Sequence, residues 1–179
     1  TAPPLRVLLI GAAGVFGSRL AAALAREPGV ELMAAGRRPS ALDQLLRSLP
    51  PATMQTATLD RNLLTAADLT RLRASVVIDA AGPFQDRRLA ASPRVIEAAI
   101  GAGCHYIDLA DGRAFVSAVR QFDERARIAG IAVISGASST PALSHAVLDQ
   151  LTAGWRRIDA VRICISPGNQ ASPGLAALR

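Results

Sequence analysis

The residues whose types and spacing could do chemistry cluster at a few places along the chain. The first is Gly11-Ala12-Ala13-Gly14-Val15-Phe16-Gly17. Its spacing, G-x-x-G-x-x-G, is a variant of the G-x-G-x-x-G pattern that cradles a dinucleotide pyrophosphate. In such a loop Gly11 permits the tight turn, Gly14 lets backbone approach the phosphates, and Gly17 lets a helix pack closely on a strand. A helix opening at Gly14 would add free N–H groups and the positive end of a dipole. The alternative is glycines that only turn the chain; the buried strand before them and the helix after them favour the phosphate reading. The second place is Gly36-Arg37-Arg38-Pro39-Ser40. An NAD-binding chain usually carries Asp or Glu at the end of its second strand to hold the ribose 2′-OH. Gly36 removes that carboxylate, and Arg37, Arg38 and Ser40 offer donors to a 2′-phosphate. The reading is NADP rather than NAD; the alternative is a solvent-facing turn whose arginines touch nothing.

The remaining candidates are less specific. Asp60 follows the third expected strand, where its carboxylate either accepts from an adenine amino group or caps a helix. Ala80-Ala81-Gly82-Pro83-Phe84 follows the fourth. Small residues there, Ala81 and Gly82 beside Pro83 and Phe84, let a cofactor lie close to the carboxyl edge of the sheet, although a Gly-Pro pair is also an ordinary turn. Cys104-His105-Tyr106-Ile107-Asp108-Leu109-Ala110-Asp111-Gly112 concentrates reactive side chains at another strand end. Cys104 reads as a packed strand residue rather than a nucleophile. His105 and Tyr106 alternate faces, so at most one of them readily faces a crevice. Tyr106, Asp108, Asp111 and His145 are the catalytic candidates, each with a plainer reading as a core, turn, cap or helix residue.

These places are positioned by alternating strands and helices. Apolar runs predict strands at 5–11, 30–35, 52–59, 75–80, 104–109 and 131–135. Helices are expected at 14–26, stopped by Pro28-Gly29; at 40–49, capped by Ser40; and from Asp60 or Thr65 to near Arg73. Further helices open at Ser92-Pro93, with proline at the first position, and span 113–129, ended by Gly130. Such alternation implies parallel βαβ units with right-handed crossovers, hence a doubly wound, mostly parallel α/β sheet of the Rossmann type.

The order GAAGVFG, AAGPF, then G-x-x-C-H-Y-I-D-L-A-D-G, then SGASSTPALS resembles the saccharopine dehydrogenase-like family of NADP-dependent oxidoreductases over about residues 5–170. The resemblance implies a Rossmann domain over residues 1–158 holding NADP, and a second α/β domain that supplies much of the pocket for a small-molecule substrate. Residues 160–166 then read as the first strand of that second domain within 159–179, the rest being truncated; such a piece is expected to be inactive alone. A strand without its own sheet is expected to seek a second copy of the chain, as a homodimer, or to fray. The implied reaction is hydride transfer between NADP(H) and a C=N or C=C bond. Pro141 and His145 fall where saccharopine reductases carry D-P-G-x-x-H, with Thr140 and Ala142 replacing the acid and the glycine, which argues against saccharopine itself as substrate. Two other readings stay open: a dinucleotide-binding sensor or scaffold without catalysis, and an atypical short-chain reductase or isomerase.

Composition excludes other classes. All 20 basic residues are arginine, which removes Schiff-base chemistry, the Walker A lysine and the Tyr-x-x-x-Lys dyad from this chain. The net charge of +6 raises the question of nucleic acid, but the arginines are scattered and aromatics are 3%, too few for base-stacking platforms. No apolar run is long enough to span a membrane. Cys104 and Cys164 are too few for a disulfide scaffold or a zinc site, so no metal is expected, and a reducing cytoplasm is the expected compartment.

Overall fold

The computed structural model describes residues 3–49, 54–82, 84 and 92–164. Leucine- and valine-rich runs form strands that can be buried on both faces of a parallel sheet. They are β1 (Leu5–Ile10), β2 (Val30–Gly36), β3 (Met54–Thr58), β4 (Val76–Asp79), β5 (His105–Asp108) and β6 (Val133–Ile134). Their order across the sheet is β3-β2-β1-β4-β5-β6, with every pairing parallel. The chain winds outward from β1 to β3, then returns to the other side of β1 as β4. In open α/β sheets the ligand crevice lies outside the carboxyl ends of the strands at such a reversal of order, here that of β1 and β4.

Alternation along each strand splits the core into two layers. Val7 and Leu9 of β1, with Leu32 and Ala34 of β2, pack with Ala21 of α1 (Val15–Leu24) and Leu42 and Leu45 of α2 (Pro39–Ser48). On the other face Leu8, Ile10, Met33, Val77 and Tyr106 meet Leu69 of α3 (Ala66–Arg71), Val95, Ile96 and Ala99 of α4 (Ser92–Ala102) and Phe115 of α5 (Arg113–Ala118). Asp79 and Asp108 lie two residues beyond Val77 and Tyr106, so these two polar side chains belong to this second layer.

Several local expectations are corrected. Ser40 does not cap α2; Arg38 holds that position and Pro39 takes the first helical place, where its fixed φ suits the turn and its missing N–H costs nothing. Of the two candidates for capping α3, Thr65 does so through a reciprocal box with Asp68, and Asp60 instead accepts the Asn62 N–H at 2.9 Å. The helix expected over 113–129 is divided into α5, a tight 3₁₀ turn at Val119–Phe122 and α6 (Asp123–Ile128). The tightened turn keeps Val119 and Phe122 buried together with Phe115 and Ala126. α7 (Ser144–Leu151) follows, and Leu143, Val147 and Leu151 are exposed. Of the strand expected at 160–166, only residues 160–164 are described; they are exposed and outside any sheet.

Among the described glycines, the least room for a side chain is at Gly17. A Cβ on Gly17 would stand 2.0 Å from the Gly11 carbonyl oxygen, whereas one on Gly14 would meet only that same oxygen, at 3.1 Å. Gly17→Ala is therefore expected to destabilise the fold by on the order of 3 kcal/mol, and Gly14→Ala by less than about 1 kcal/mol. Urea unfolding of the two variants checks the contrast.

Candidate functional site

The site is built from strand ends. Gly11 leaves β1 with φ at +77°, a conformation that side chains rarely adopt, and the turn delivers the chain into α1. Gly14 is the N-cap of that helix; it is exposed, and no side chain caps the first amides. Those N–H groups and the positive end of the helix dipole stand where the chain leaves β1, and the first turn carries no acidic residue to oppose an anion. Val15 is half-buried, and Phe16 stands out into solvent at 59% exposure.

The neighbouring strand ends contribute the other residues named from sequence. Gly36 ends β2, and Arg37, Arg38 and Ser40 follow as exposed side chains; neither arginine has an ion-pair partner among the described residues. Asp60 follows β3 and is partly exposed. Ala81 and Gly82 follow β4 half-buried, with the Phe84 ring buried beneath; Pro83 lies outside the described residues. Ala81 presses on the glycine turn, since a Cβ on Gly11 would come within 2.9 Å of the Ala81 Cα. The topology thus gathers the candidates after β1, β2, β3 and β4 along one edge of the sheet.

The catalytic candidates separate. Tyr106 and Asp108 are fully buried, and the phenol donates to Asp108 Oδ2 at 2.9 Å. Asp108 Oδ1 accepts the Ala110 N–H at 2.9 Å, the Ser135 hydroxyl at 3.0 Å and the Gly136 N–H at 3.0 Å. The carboxylate therefore pins together the loops that leave β5 and β6. His105 faces the other way, is exposed, and accepts the Ala132 N–H at Nδ1, 3.0 Å away. Asp111 is exposed after β5, and His145 is exposed on α7. Cys104 is buried, and its thiol is pushed up to about 11 by that burial, which makes it a poor nucleophile.

Sequence reasoning missed the residues that hold the β4 exit. Asp79 is fully buried, with Arg61 Nη2 2.7 Å from its Oδ2, while its Oδ1 accepts the Ala81 N–H at 3.0 Å. Burial raises its carboxyl above the ordinary range; the Arg61 guanidinium and the Ala81 N–H oppose this, and nearby Asp108 adds to it. A charged residue closing the otherwise apolar run Val76-Val77-Ile78 was the available signal. Among the described residues no helix is long and apolar enough to cross a membrane, and no group of three or more His, Cys, Asp or Glu could hold a metal.

Tyr106 is the only tyrosine in the chain. Its pKa lies well above the ordinary value, first because of burial, then because of the charges of Asp79 and Asp108 and its bond to Asp108. A raised folded-state value favours the neutral phenol. Its stabilisation is whole below about pH 10 and is lost as pH rises above that, at about 1.4 kcal/mol per pH unit. Phenolate absorbance should stay silent in the native protein until it unfolds, and should titrate near pH 10 in concentrated urea. A native transition near pH 10 would contradict the burial.

A family model described as the saccharopine dehydrogenase NADP binding domain matches residues 7–134. Among curated proteins none matches the sequence. Among solved structures, saccharopine dehydrogenase (L-Glu forming) from Saccharomyces cerevisiae superposes with a TM-score of 0.65 at 19% identity, over 82% of this chain and 30% of that one. Scyllo-inositol dehydrogenase from Lactobacillus casei gives a TM-score of 0.58 at 17% identity, over 85% of this chain and 42% of that one. Biliverdin reductase from Synechocystis, solved with biliverdin and NADP+, gives 0.52 at 18%, over 74% and 37%. The chain thus spans less than half the length of these three structures, and at these identities the likeness is one of fold.

Proposed function

The chain belongs to the saccharopine dehydrogenase NADP-binding domain family, and from that premise we propose that it holds NADP along the carboxyl edge of its sheet for an oxidoreductase acting on a carbon–nitrogen or carbon–carbon double bond of a small substrate. The observation that carries the reading is the surroundings of Gly14. An uncapped helix N-terminus is exposed there, next to a turn that leaves no room for a Cβ at Gly11 or Gly17. The residues fit the group in three ways. The amides that open α1, at Val15, Phe16 and Gly17, suit the phosphates. Arg37 and Arg38, exposed beside Ser40, suit a 2′-phosphate. Asp60 keeps Oδ2 for an adenine amino group while Oδ1 takes the Asn62 N–H.

When bound, the cofactor supplies the hydride, and the protein supplies position and electrostatics. Ala81 and Gly82 give close approach over the β4 end, with Phe84 excluding water beneath them. Of the proton-handling candidates, Asp111 and His145 are the exposed pair, and the proposal keeps that role for them. Tyr106 and Asp108 are given the structural role their mutual bond supports. Thr140 and Ala142, in place of an acid and a glycine, favour a substrate other than saccharopine. The division at residues 158 and 159, a substrate domain beyond it, the cytoplasmic compartment and a homodimer belong to the same proposal. NADPH oxidation by the full-length protein with an imine or enoyl substrate tests it, since a sensor or scaffold would bind without turnover.

Cofactor choice gives a sharper expectation. A charge-assisted arginine–phosphate contact contributes on the order of 1.5–3 kcal/mol, less where water screens it. NADP should therefore bind roughly tenfold to a hundredfold more tightly than NAD at low salt. Replacing Arg37 and Arg38 by alanine should weaken NADP and leave NAD nearly unchanged; adding Gly36→Asp should tip the balance to NAD. Competition titration checks this, and equal wild-type affinities would leave the arginines as a solvated turn. Gly14→Val should abolish NADP binding in calorimetry while the variant stays folded.

A further inference from the structure

Arg61 reaches from the connection after β3 to the exit of β4. Its Nη2 pairs with Asp79 Oδ2 at 2.7 Å, and its Nη1 donates to the Ala81 carbonyl. Its guanidinium carbon lies 5.3 Å from the centroid of the Phe84 ring, which in turn rests on Phe115 with centroids 5.5 Å apart. Ala81 is thereby held on every side: its N–H by Asp79, its carbonyl by Arg61 and its Cα by the glycine turn at Gly11. The arginine is itself largely buried, at 11% exposure. A buried ion pair alone would need only the Asp79 contact. The additional grip reaches the Ala81 carbonyl and the Phe84 ring, beyond the end of β4.

We propose that Arg61 is a positioning residue for the nicotinamide half of the cofactor, acting through Ala81 and Phe84; this rests on the reading of the carboxyl edge as a dinucleotide site. Strand order assigns the halves. The 2′-phosphate end belongs beside β2, the pyrophosphate at the β1–α1 turn, and the nicotinamide half over β4 and β5. Arg61 therefore acts on one half of the ligand from a loop that borders the other.

The experiment separates positioning from stability. Arg61→Met alone leaves Asp79 buried without its partner. The double variant Arg61→Met, Asp79→Asn removes that charge and keeps an Oδ1 acceptor for the Ala81 N–H. Wild type and double variant are titrated with NADPH and with 2′,5′-ADP, which lacks the nicotinamide half, and each is unfolded in urea. The expected result is a wild-type affinity for 2′,5′-ADP and a loss of about tenfold for NADPH. Should the double variant not fold, Arg61→Lys takes its place. One ammonium can pair with Asp79 but lacks the planar fork that serves Ala81 as well, so the same split is expected. Unchanged NADPH affinity in a folded variant overturns the proposal, as does an equal loss for both ligands. Failure of the wild-type protein to bind either ligand overturns instead the cofactor reading beneath it.

Discussion

At the end of β1, three stretches of backbone occupy a space that no Cβ can enter. The Gly11 carbonyl oxygen lies 2.0 Å from where a Gly17 side chain would begin, and Ala81 backbone lies 2.9 Å from where a Gly11 side chain would begin. This crowding brings α1 directly onto the turn and brings the β4 exit against the turn's other side. The helix N-terminus and the β4 exit loop then have fixed places on either side of the crevice. Gly14 differs from its two neighbours in the motif: it is exposed, and a Cβ there would meet only the Gly11 carbonyl oxygen, at 3.1 Å. Two glycines serve the fold; in the proposed reading the third leaves room for a ligand.

A second constraint follows from where the strands stop. Asp79 and Asp108 are register partners on adjacent strands, and both are fully buried. Two uncompensated carboxylates in such a place would cost several kcal/mol each. Each is offset in its own way: Asp79 by a guanidinium and one N–H, Asp108 by two hydroxyls and two N–H groups. The donors belong to loop residues Arg61, Ala81, Ala110, Ser135 and Gly136, and to Tyr106 in β5. Apolar packing fixes the strands but weakens at their ends, where the site must be built. Hydrogen bonds with defined directions fix loops there in a way that non-directional burial does not.

The strand–helix alternation was legible because each apolar run is bounded by glycine, proline or a capping residue, as in Leu5 to Gly11 and at Ser92-Pro93. The glycine motif was legible because its spacing reflects a packing requirement that few other residues meet. The Asp79–Arg61 pair was not, because Arg61 stands on the connection after β3 and Asp79 at the end of β4, and the two meet only through the strand order. Ser40 is a strong capping residue, but Pro39 favours the first helical position, which moves the cap back to Arg38. Tyr106 and Asp108 were partly readable. Their separation by two puts them on one face, but polar residues in a strand are read as facing outward, and here they face the core and satisfy one another.

The carboxyl edge divides its work between two kinds of group. Around Gly11, Gly17 and Ala81 the edge is backbone, wedged where any added atom displaces a neighbour. After β2 it is side chain: Arg37 and Arg38 are exposed, and a Cβ on Gly36 would meet only Leu42 Cδ2, at an ordinary 3.7 Å. In the proposed reading, the phosphate bridge common to NAD and NADP falls on the first kind, and the one phosphate that distinguishes them falls on the second. The first is rigid, because altering it disturbs the fold. The second is a surface electrostatic contact, screened over about 10 Å at ordinary ionic strength. Cofactor preference can therefore change here by substitution at Gly36, Arg37 or Arg38 without repacking the sheet, while the capacity to hold a dinucleotide at all stays tied to the turn on which the fold is built.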